Sequence, residues 1–290
     1  MKIAFLSASI VLPGHPARRG DAFEHDFEVD CLAPPLQAAG FALEPVCWDD
    51  LTIDWTEFAG VVIGTTWDYW DKYDLFLGTL DKIEASRIPV FNPSALVRWN
   101  SRKTYLNDLE AKGIRTIPTL WSENPSAREL NTAFDILASD DLVIKRQIGA
   151  GAEGQIRLRR GDELSDYPYP AMIQPFMPSI QDEGEYSFIM IDGELSHALI
   201  KRAKKGDYRI QSLYGGTEER ISPSEADIEA AQNVLSVLDE APLYARVDMI
   251  RGGEGDLLLM ELELIEPYLY PLQADALGEM FAAALKRRLG

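Results

Sequence analysis

Four charged residues, Arg246, Asp248, Glu261 and Glu263, interrupt two runs of alternating apolar residues that flank Arg251-Gly-Gly-Glu-Gly-Asp256. Alternation on both sides of Gly- and Asp-rich punctuation predicts a β-hairpin. With its turn centred on Glu254-Gly255, Asp248 falls opposite Glu261 and Arg246 opposite Glu263. Strand side chains face one way at every second position, so the four share a face. Opposed side chains lie about 5 Å apart at Cβ, near enough for three carboxylates to meet on one cation. Without such a cation, like charges gathered together repel. The alternative is a solvated hairpin surface, with Val247, Met249, Leu258, Met260, Leu262 and Leu264 burying the other face. Oxygen-only donors suit a hard ion, and Mg²⁺ is typically held by one or two carboxylates together with substrate phosphates. The pattern therefore points to a magnesium–nucleotide site.

Phosphates need cations and a closely approaching backbone. Asp141-Leu-Val-Ile-Lys-Arg-Gln147, the loop Ile148-Gly-Ala-Gly-Ala-Glu-Gly154 and Gln155-Ile-Arg-Leu-Arg159 read as a strand, a glycine-rich turn and a returning strand. A P-loop needs Gly-Lys-Ser/Thr opening a helix, and a dinucleotide fingerprint needs a strand followed by a helix; neither context is present. A glycine-rich hairpin can be no more than a flexible turn, but Lys145, near the end of the ingoing strand, can reach phosphates lying under it. Lys201, Arg202, Lys204, Lys205 and Arg209 concentrate positive charge in an otherwise acidic chain; a solvated basic face is the alternative.

The elements that must position these groups follow in order. A short apolar run at 2–8 predicts a buried first strand, and 9–26 reads as an irregular segment of the kind that is often functional. A helix over 31–39 ending at Gly40, strands at 43–48, 60–66 and 89–91, and an amphipathic helix at 71–86 imply a small parallel α/β layer over residues 1–92. Ligands of such layers sit beyond the carboxyl ends of the strands, here residues 7–19 and 65–70. Asn92-Pro-Ser94 starts a helix that runs, with one break, to Gly113. A strand at 116–120, a helix at 126–138, a strand at 171–177, a hairpin at 186–202 turning on Asp192-Gly193, and helices at 224–238 and 274–289 complete the chain.

Composition bounds the function. The chain has 290 residues, 46% hydrophobic and 26% charged, which is ordinary for a soluble globular protein. A net charge of −19 argues against nucleic-acid or anionic-membrane partners. It leaves room for ATP, because magnesium and local lysines can reverse the potential inside one cleft. Two cysteines make neither a disulfide framework nor a metal motif. No long apolar run or cleavage site follows Met1, so a cytoplasmic location is expected.

Taken together these residues resemble the ATP-grasp superfamily, in its glutathione-synthetase-like branch, along essentially the whole chain. The resemblance implies an α/β (α+β ATP-grasp) fold: a small parallel α/β domain over 1–92, a central lid subdomain over 93–177, and a C-terminal subdomain carrying the metal site over 178–290, the last two clasping ATP. Arg102-Lys103-Thr-Tyr-Leu is similar to the linker holding the first ATP lysine, Lys103. Lys145 with Gly149 and Gly151 resembles the second lysine and the lid over the phosphates. Gln174-Pro-Phe-Met177 is similar to the adenine hinge, with Gln174, Phe176 and Met177 in contact, and Glu185 matches the acid on the ribose. Asp248, Glu261 and Glu263 are implied to hold two Mg²⁺ ions, with Mn²⁺ as a substitute; many relatives have Asn where Glu263 stands. Arg202 and Arg209 fall in register with arginines that neutralise phosphate and carboxylate, and Arg246 would stabilise the reacting acyl group.

The activity implied is ATP-dependent joining of a carboxylate to an amine through an acyl phosphate, on a small amino-acid-like molecule. Gly64-Thr-Thr-Trp-Asp-Tyr69, Leu96-Val-Arg-Trp-Asn100 and Leu262-Glu-Leu-Ile-Glu-Pro267 look most like the subgroup containing the O-ureidoserine cyclo-ligase of cycloserine biosynthesis, which closes a ring within one substrate. Thr66, Trp67, Asp68, Arg18, Glu266 and Tyr268 would then line the acceptor side; for Trp67, simple packing is the alternative. Homodimers and homotetramers are the assemblies the resemblance implies. A small-molecule kinase, a protein-modifying ligase and a non-catalytic ATP-binding regulator are the rival readings.

Overall fold

The computed structural model describes residues 1–149, 154–204 and 215–290. The first apolar run becomes β1 (Lys2–Ser7), buried from Ile3 onward. It pairs in parallel with β2 (Ala42–Cys47) on one side and β3 (Gly60–Ile63) on the other, and β4 (Val90–Phe91) adds to β3. Helix α1 (Phe23–Ala38) connects the first two strands. It begins eight residues before the expected 31–39 helix, because its inward stripe there is His25 and Glu28, ahead of Leu32 and Leu36. Polar residues at core-facing positions hide the helical period from a hydrophobicity reading. Helix α2 (Tyr73–Ala85) packs its buried Phe76, Leu77, Leu80 and Ile83 on the sheet.

Two short helices, α3 (Ser94–Asn100) and α4 (Tyr105–Ala111), follow, and the expected break between them carries Lys103. The next sheet contains β5 (Leu120–Ser122), β6 (Asp141–Arg146), β7 (Ile156–Arg159) and β8 (Ala171–Pro175), antiparallel in the order β5-β8-β6-β7. Helix α5 (Ala127–Ile136) starts at a capping box in which Ser126 and Glu129 satisfy each other's backbone N–H groups. The strand expected at 116–120 forms later, at 120–122, while Thr116 makes an isolated bridge to Leu259 in the neighbouring sheet.

After the single turn α6 (Ser179–Asp182), a five-stranded antiparallel sheet holds β9 (Glu185–Ile191), β10 (Glu194–Arg202), β11 (Thr217–Ile221), β12 (Tyr244–Arg251) and β13 (Leu257–Glu263) in the order β11-β10-β9-β12-β13. One face, with Phe188, Met190, Ala198, Ala245 and Val247, is covered by α4 and by helix α7 (Glu225–Ser236). On the other face Ile189, Ile191 and Leu199 merge with the first layer's core. The C-terminal helix α8 (Leu277–Leu289) belongs to that same core through Phe281 and Leu285. It lies so close to α1 that a Cβ on Gly278 would stand 2.4 Å from the Cys31 carbonyl oxygen, so the crossing requires glycine. Among the described residues, no helix is long and apolar enough to cross a membrane.

The hairpin of β12 and β13 has Arg246 opposite Glu263 and Asp248 opposite Glu261, the expected pairing. Its turn-proximal half runs one residue out of phase, with Met249 opposite Leu259, so Met260 is an extra residue in β13. This bulge sends Leu257 and Leu259 to the α7 side and leaves Leu258 and Met260 on the side of Ile250. Leu258 and Met260 therefore do not share a face with Val247 and Met249, contrary to simple alternation, because a bulge inverts the facing beyond it.

Candidate active site

Arg246 is the centre of the polar end of this sheet. Its guanidinium donates to both Asp248 oxygens at 3.0 and 3.2 Å, to Glu263, and to the Tyr268 carbonyl at 3.2 Å. Asp248, in turn, accepts from the Ser187 hydroxyl and from Lys201 at 3.3 Å, and Lys201 also pairs with Glu185. Arg246, Asp248, Glu185 and Lys201 are all at least nine-tenths buried. Gly184, in a left-handed conformation (φ +120°), immediately precedes β9 where a Cβ would meet the Lys201 carbonyl at 2.5 Å, so glycine permits the strand contact that brings Glu185 to Lys201.

Electrostatics divides the acids. Burial raises every carboxyl here, but Arg246 and Lys201 outweigh it at Asp248, and Lys103 outweighs it at Glu261, so both lie below the ordinary range. At Glu263 and Glu185 burial prevails over the arginine and lysine, and each is pushed up to about 7. Burial, with Glu263 nearby, raises Glu266 well above a normal carboxyl, and Glu266 has no ion pair among the described residues.

Two lysines face the acids from elsewhere in the chain. Lys103 donates to Glu261 at 2.5 Å and to the Gly149 carbonyl at 3.1 Å, joining the break between α3 and α4 to both β13 and the glycine-rich loop. Lys145, at the end of β6, has no ion pair or hydrogen bond of its ammonium among the described residues. Burial lowers its pKa against the pull of Glu261 and Glu185. A partly buried cation without a partner is a place for an anion.

Beside them a packed apolar cluster joins the two antiparallel sheets. Ile117, Val143, Phe176 and Ile180 face Ile250, with Met177, Leu258 and Met260 against them. The Phe176 N–H donates to the Asp141 carbonyl at 2.8 Å, and its ring lies 3.4 Å from the Arg157 guanidinium. Gln174 is buried and donates to Thr119 at 2.9 Å. Ile117 and Val143 were not singled out in the sequence, and Met260 was placed on the opposite face of its hairpin, since only pairing of the sheets brings the three together.

The proposed acceptor side is partly assembled. Trp67 Nε1 donates to the Glu266 carbonyl at 3.1 Å, and Arg19 donates to the Trp67 carbonyl at 3.0 Å. Tyr268 is buried, with its ring 4.7 Å from that of Tyr270. Thr66 is fully buried and its hydroxyl has no partner in the described structure. Arg18 instead binds Asp26 at 2.5 Å and the Val11 carbonyl within its own loop. Asp68 accepts from the Trp48 indole at 2.6 Å and from Lys72 at 3.4 Å, inside the first layer. Arg202 points outward and pairs with Glu219 at 2.5 Å, both exposed; its neighbour Lys201 faces inward. Gly151 and Arg209 lie outside the described residues.

Two family profiles match this chain in order. Residues 3–92 match the N-terminal domain of D-cycloserine synthetase DcsG, and residues 138–267 match the ATP-grasp domain of prokaryotic glutathione synthetase. The chain belongs to the ATP-grasp superfamily. It is 28% identical to the cycloserine biosynthesis protein DcsG of Streptomyces lavendulae, over 91% of this chain and 94% of that protein. It is 25% identical to the glutathione synthetase of Prochlorococcus marinus (strain MIT 9313), over 82% and 80%. Among solved structures, D-cycloserine synthetase DcsG superposes with a TM-score of 0.83 at 24% identity, covering 100% of both chains. The D-alanine–D-alanine ligase of Bacillus anthracis gives 0.65 at 18%, covering 99% of this chain and 98% of that one. This ATP-grasp protein is thus a ligase of a C–N bond-forming family.

The residues present suit the divalent ion that ATP-grasp ligases imply. Asp248, Glu261 and Glu263 offer only oxygen donors, on one sheet face, and Glu266, which has no ion pair among the described residues, feels the charges of Glu261 and Glu263. No three acidic, His or Cys side chains among the described residues already converge as a cage. Arg246 bridges Asp248 and Glu263, Lys201 shares Asp248 with it, and Lys103 pairs with Glu261.

Proposed function

We propose that this protein is an Mg-ATP-dependent carboxylate–amine ligase acting on a small amino-acid-like substrate and releasing ADP and phosphate. The observation that carries the reading is Lys145, a cation without a partner among the described residues, beside Lys103 and the acids of β12 and β13.

On this reading adenine lies against that apolar cluster, Gln174 to Met177 hold it by their backbone, and Glu185 faces the ribose. Lys103, Lys145 and the 149–154 loop with Gly149 and Gly151 meet the phosphates. Asp248, Glu261 and Glu263 would hold Mg²⁺, two ions with Mn²⁺ as a substitute, which when bound supplies neutralising charge. The substrate carboxylate oxygen attacks the γ-phosphorus, and the bond to the bridging oxygen breaks with its electron pair passing to ADP. The amine nitrogen then attacks the acyl carbon, the C–O bond to phosphate breaks, and the amine's proton is lost to solvent. Phosphoryl transfer of this kind needs positioning and charge more than a nucleophilic side chain. Arg246, with Arg202 and Arg209 in the reading by resemblance, would steady the oxyanion. Thr66, Trp67, Asp68, Arg18, Glu266 and Tyr268 frame the acceptor. Arg202 pairs outward and Arg18 and Asp68 pair internally, whereas the contacts of Arg246 with the acids and of Trp67 with the Glu266 carbonyl support the reading. We further propose domains at 1–92, 93–177 and 178–290, a cytoplasmic location, no nucleic-acid or membrane partner, and a homodimer or homotetramer.

Ring closure within one substrate is the second reading. Both the N-terminal domain profile and a relative matched along nearly all its length are of the cycloserine type.

The test is ADP and phosphate release with Mg-ATP against amino acids, dipeptides and ureido amino acids, singly and in pairs, with mass spectrometry of products. A pair requirement with a joined product establishes ligation; a single requirement with a condensed product establishes ring closure. A stable phosphorylated product would overturn both in favour of a kinase.

A further inference from the structure

The strand that carries Glu261 and Glu263 is the edge of its sheet, so one side of its backbone has no neighbouring strand. Unpaired edge groups normally meet water or a cover. Here side chains of the 92–105 segment meet them in turn. Tyr105 Oη accepts from the Leu262 N–H at 2.8 Å. Asn100 donates from Nδ2 to the Leu262 carbonyl at 2.9 Å and accepts at Oδ1 from the Leu264 N–H at 3.1 Å. Asn92 donates to the Leu264 carbonyl at 2.8 Å and to the Tyr244 carbonyl at 3.0 Å, and accepts from the Leu243 N–H at 2.6 Å. Every outward backbone group of residues 262 and 264 is therefore held by a buried side chain. The Asn100 amide spans Glu263 as a peptide of a further strand would.

The same segment carries Lys103, between Asn100 and Tyr105, and Lys103 reaches Glu261. We propose that Asn100, supported by Tyr105 and Asn92, is a positioning residue that fixes Glu261 and Glu263 relative to Lys103, so that metal-binding acids and phosphate-binding lysine form one rigid unit. A primary amide is needed because it presents a donor and an acceptor side by side to a C=O and an N–H. Aspartate has the shape but sets an oxygen against the Leu262 carbonyl. The proposal rests on the reading of Glu261 and Glu263 as metal ligands.

Asn100→Ala, Asn100→Asp and Tyr105→Phe would be compared with the exposed Asn107→Ala by two measurements on the full chain. Amide exchange in the nucleotide-free protein should quicken at Leu264 in Asn100→Ala and at Leu262 in Tyr105→Phe, and in neither for Asn107→Ala. ATP binding by calorimetry should weaken about tenfold or more in the Asn100 variants with Mg²⁺ present, the usual cost of losing a group that orients a metal ligand, yet remain unchanged in EDTA. Tyr105→Phe, which keeps the ring, should show the same pattern in smaller measure. Quickened exchange with unaltered Mg-dependent affinity would reduce the staple to a stabilising contact and overturn the proposal. Unchanged exchange at both amides would overturn it at the geometry. A wild-type protein that binds no Mg-ATP would instead defeat the proposed function, with the exchange data still judging the staple.

Discussion

Lys103 Nζ lies 2.5 Å from Glu261 Oε1, a contact between residues 158 apart in sequence. Burial opposes the charge on both groups, yet the pairing wins on each side: Lys103 is raised and Glu261 lowered. Lys145, which feels the same acid at longer range, has no such contact and is lowered by burial. The two lysines therefore play different parts in the nucleotide-free protein, one neutralising an acid and the other awaiting an anion.

That asymmetry predicts how two variants differ. Lys145→Met should leave the melting temperature of the nucleotide-free protein unchanged or slightly higher, since it removes a desolvated charge with no partner among the described residues. Its ATP affinity should fall about tenfold or more, the worth of a charge-assisted bond of about 1.5–3 kcal/mol. Lys103→Met should lose ATP affinity and stability together, because Glu261, partly buried, is left unpaired. Calorimetric titration beside thermal unfolding checks both; Lys145→Met with wild-type ATP affinity would remove the phosphate role of that residue.

Adjacent residues of β10 provide a second contrast. Lys201 bridges Glu185 and Asp248 in the interior, while Arg202 pairs with Glu219 at the surface. Removing one partner of a buried ionic network typically costs about 3–5 kcal/mol, whereas an exposed pair contributes about 0–1 kcal/mol. Lys201→Met should accordingly lower the urea midpoint sharply, and Arg202→Met should leave it nearly unchanged. Equal effects would mean that the inward and outward facing of this strand is not what organises the site.

How far these positions were legible turns on two bulges. Counting outward from the turn at Asp192-Gly193 sets Ile200 opposite Glu185; an extra residue, Ser196, moves Lys201 there instead. In the other hairpin the turn-proximal pairs run one residue out of phase with a turn centred on Glu254-Gly255, and Met260 restores the phase just before Glu261. The pairing of Asp248 with Glu261 was thus readable, but the facing of Leu258 and Met260 was not. Bulges leave no period in a sequence, and they gather near active sites. The three-layer order was legible because alternation, glycine turns and capping residues agree in most elements. The early start of α1 was hidden by His25 and Glu28, and the pairing of Arg18 and Asp68 within their own layer depends on neighbours distant in sequence. Asn92 read as helix punctuation and Asn100 as the end of a motif shared with a subgroup, and only the edge position of β13 gives them a further use.

Glu28 carries the last prediction. It is 2% exposed, and its carboxyl accepts the Leu269 N–H at 2.6 Å with no ion pair in the described structure. Burial pushes its pKa up to about 8 against that hydrogen bond, from 4.5. Between those values the folded protein keeps a proton that the unfolded chain has released, so the stabilisation Glu28 offers is complete below pH 4.5 and is lost as pH rises toward 8. Glu28→Gln retains an acceptor for Leu269 and has no proton to lose. The stability of the wild type relative to Glu28→Gln should therefore fall by roughly 1.4 kcal/mol per pH unit across that window and level off above it. Urea unfolding of both proteins from pH 5 to about pH 9 measures this. Taking the difference removes the parallel contributions of Glu185 and the opposite one of His25, whose pKa burial lowers. A difference independent of pH would mean that Glu28 ionises in the folded protein as it does in water, and that the junction between α1 and the segment after β13 is wetter than its packing implies.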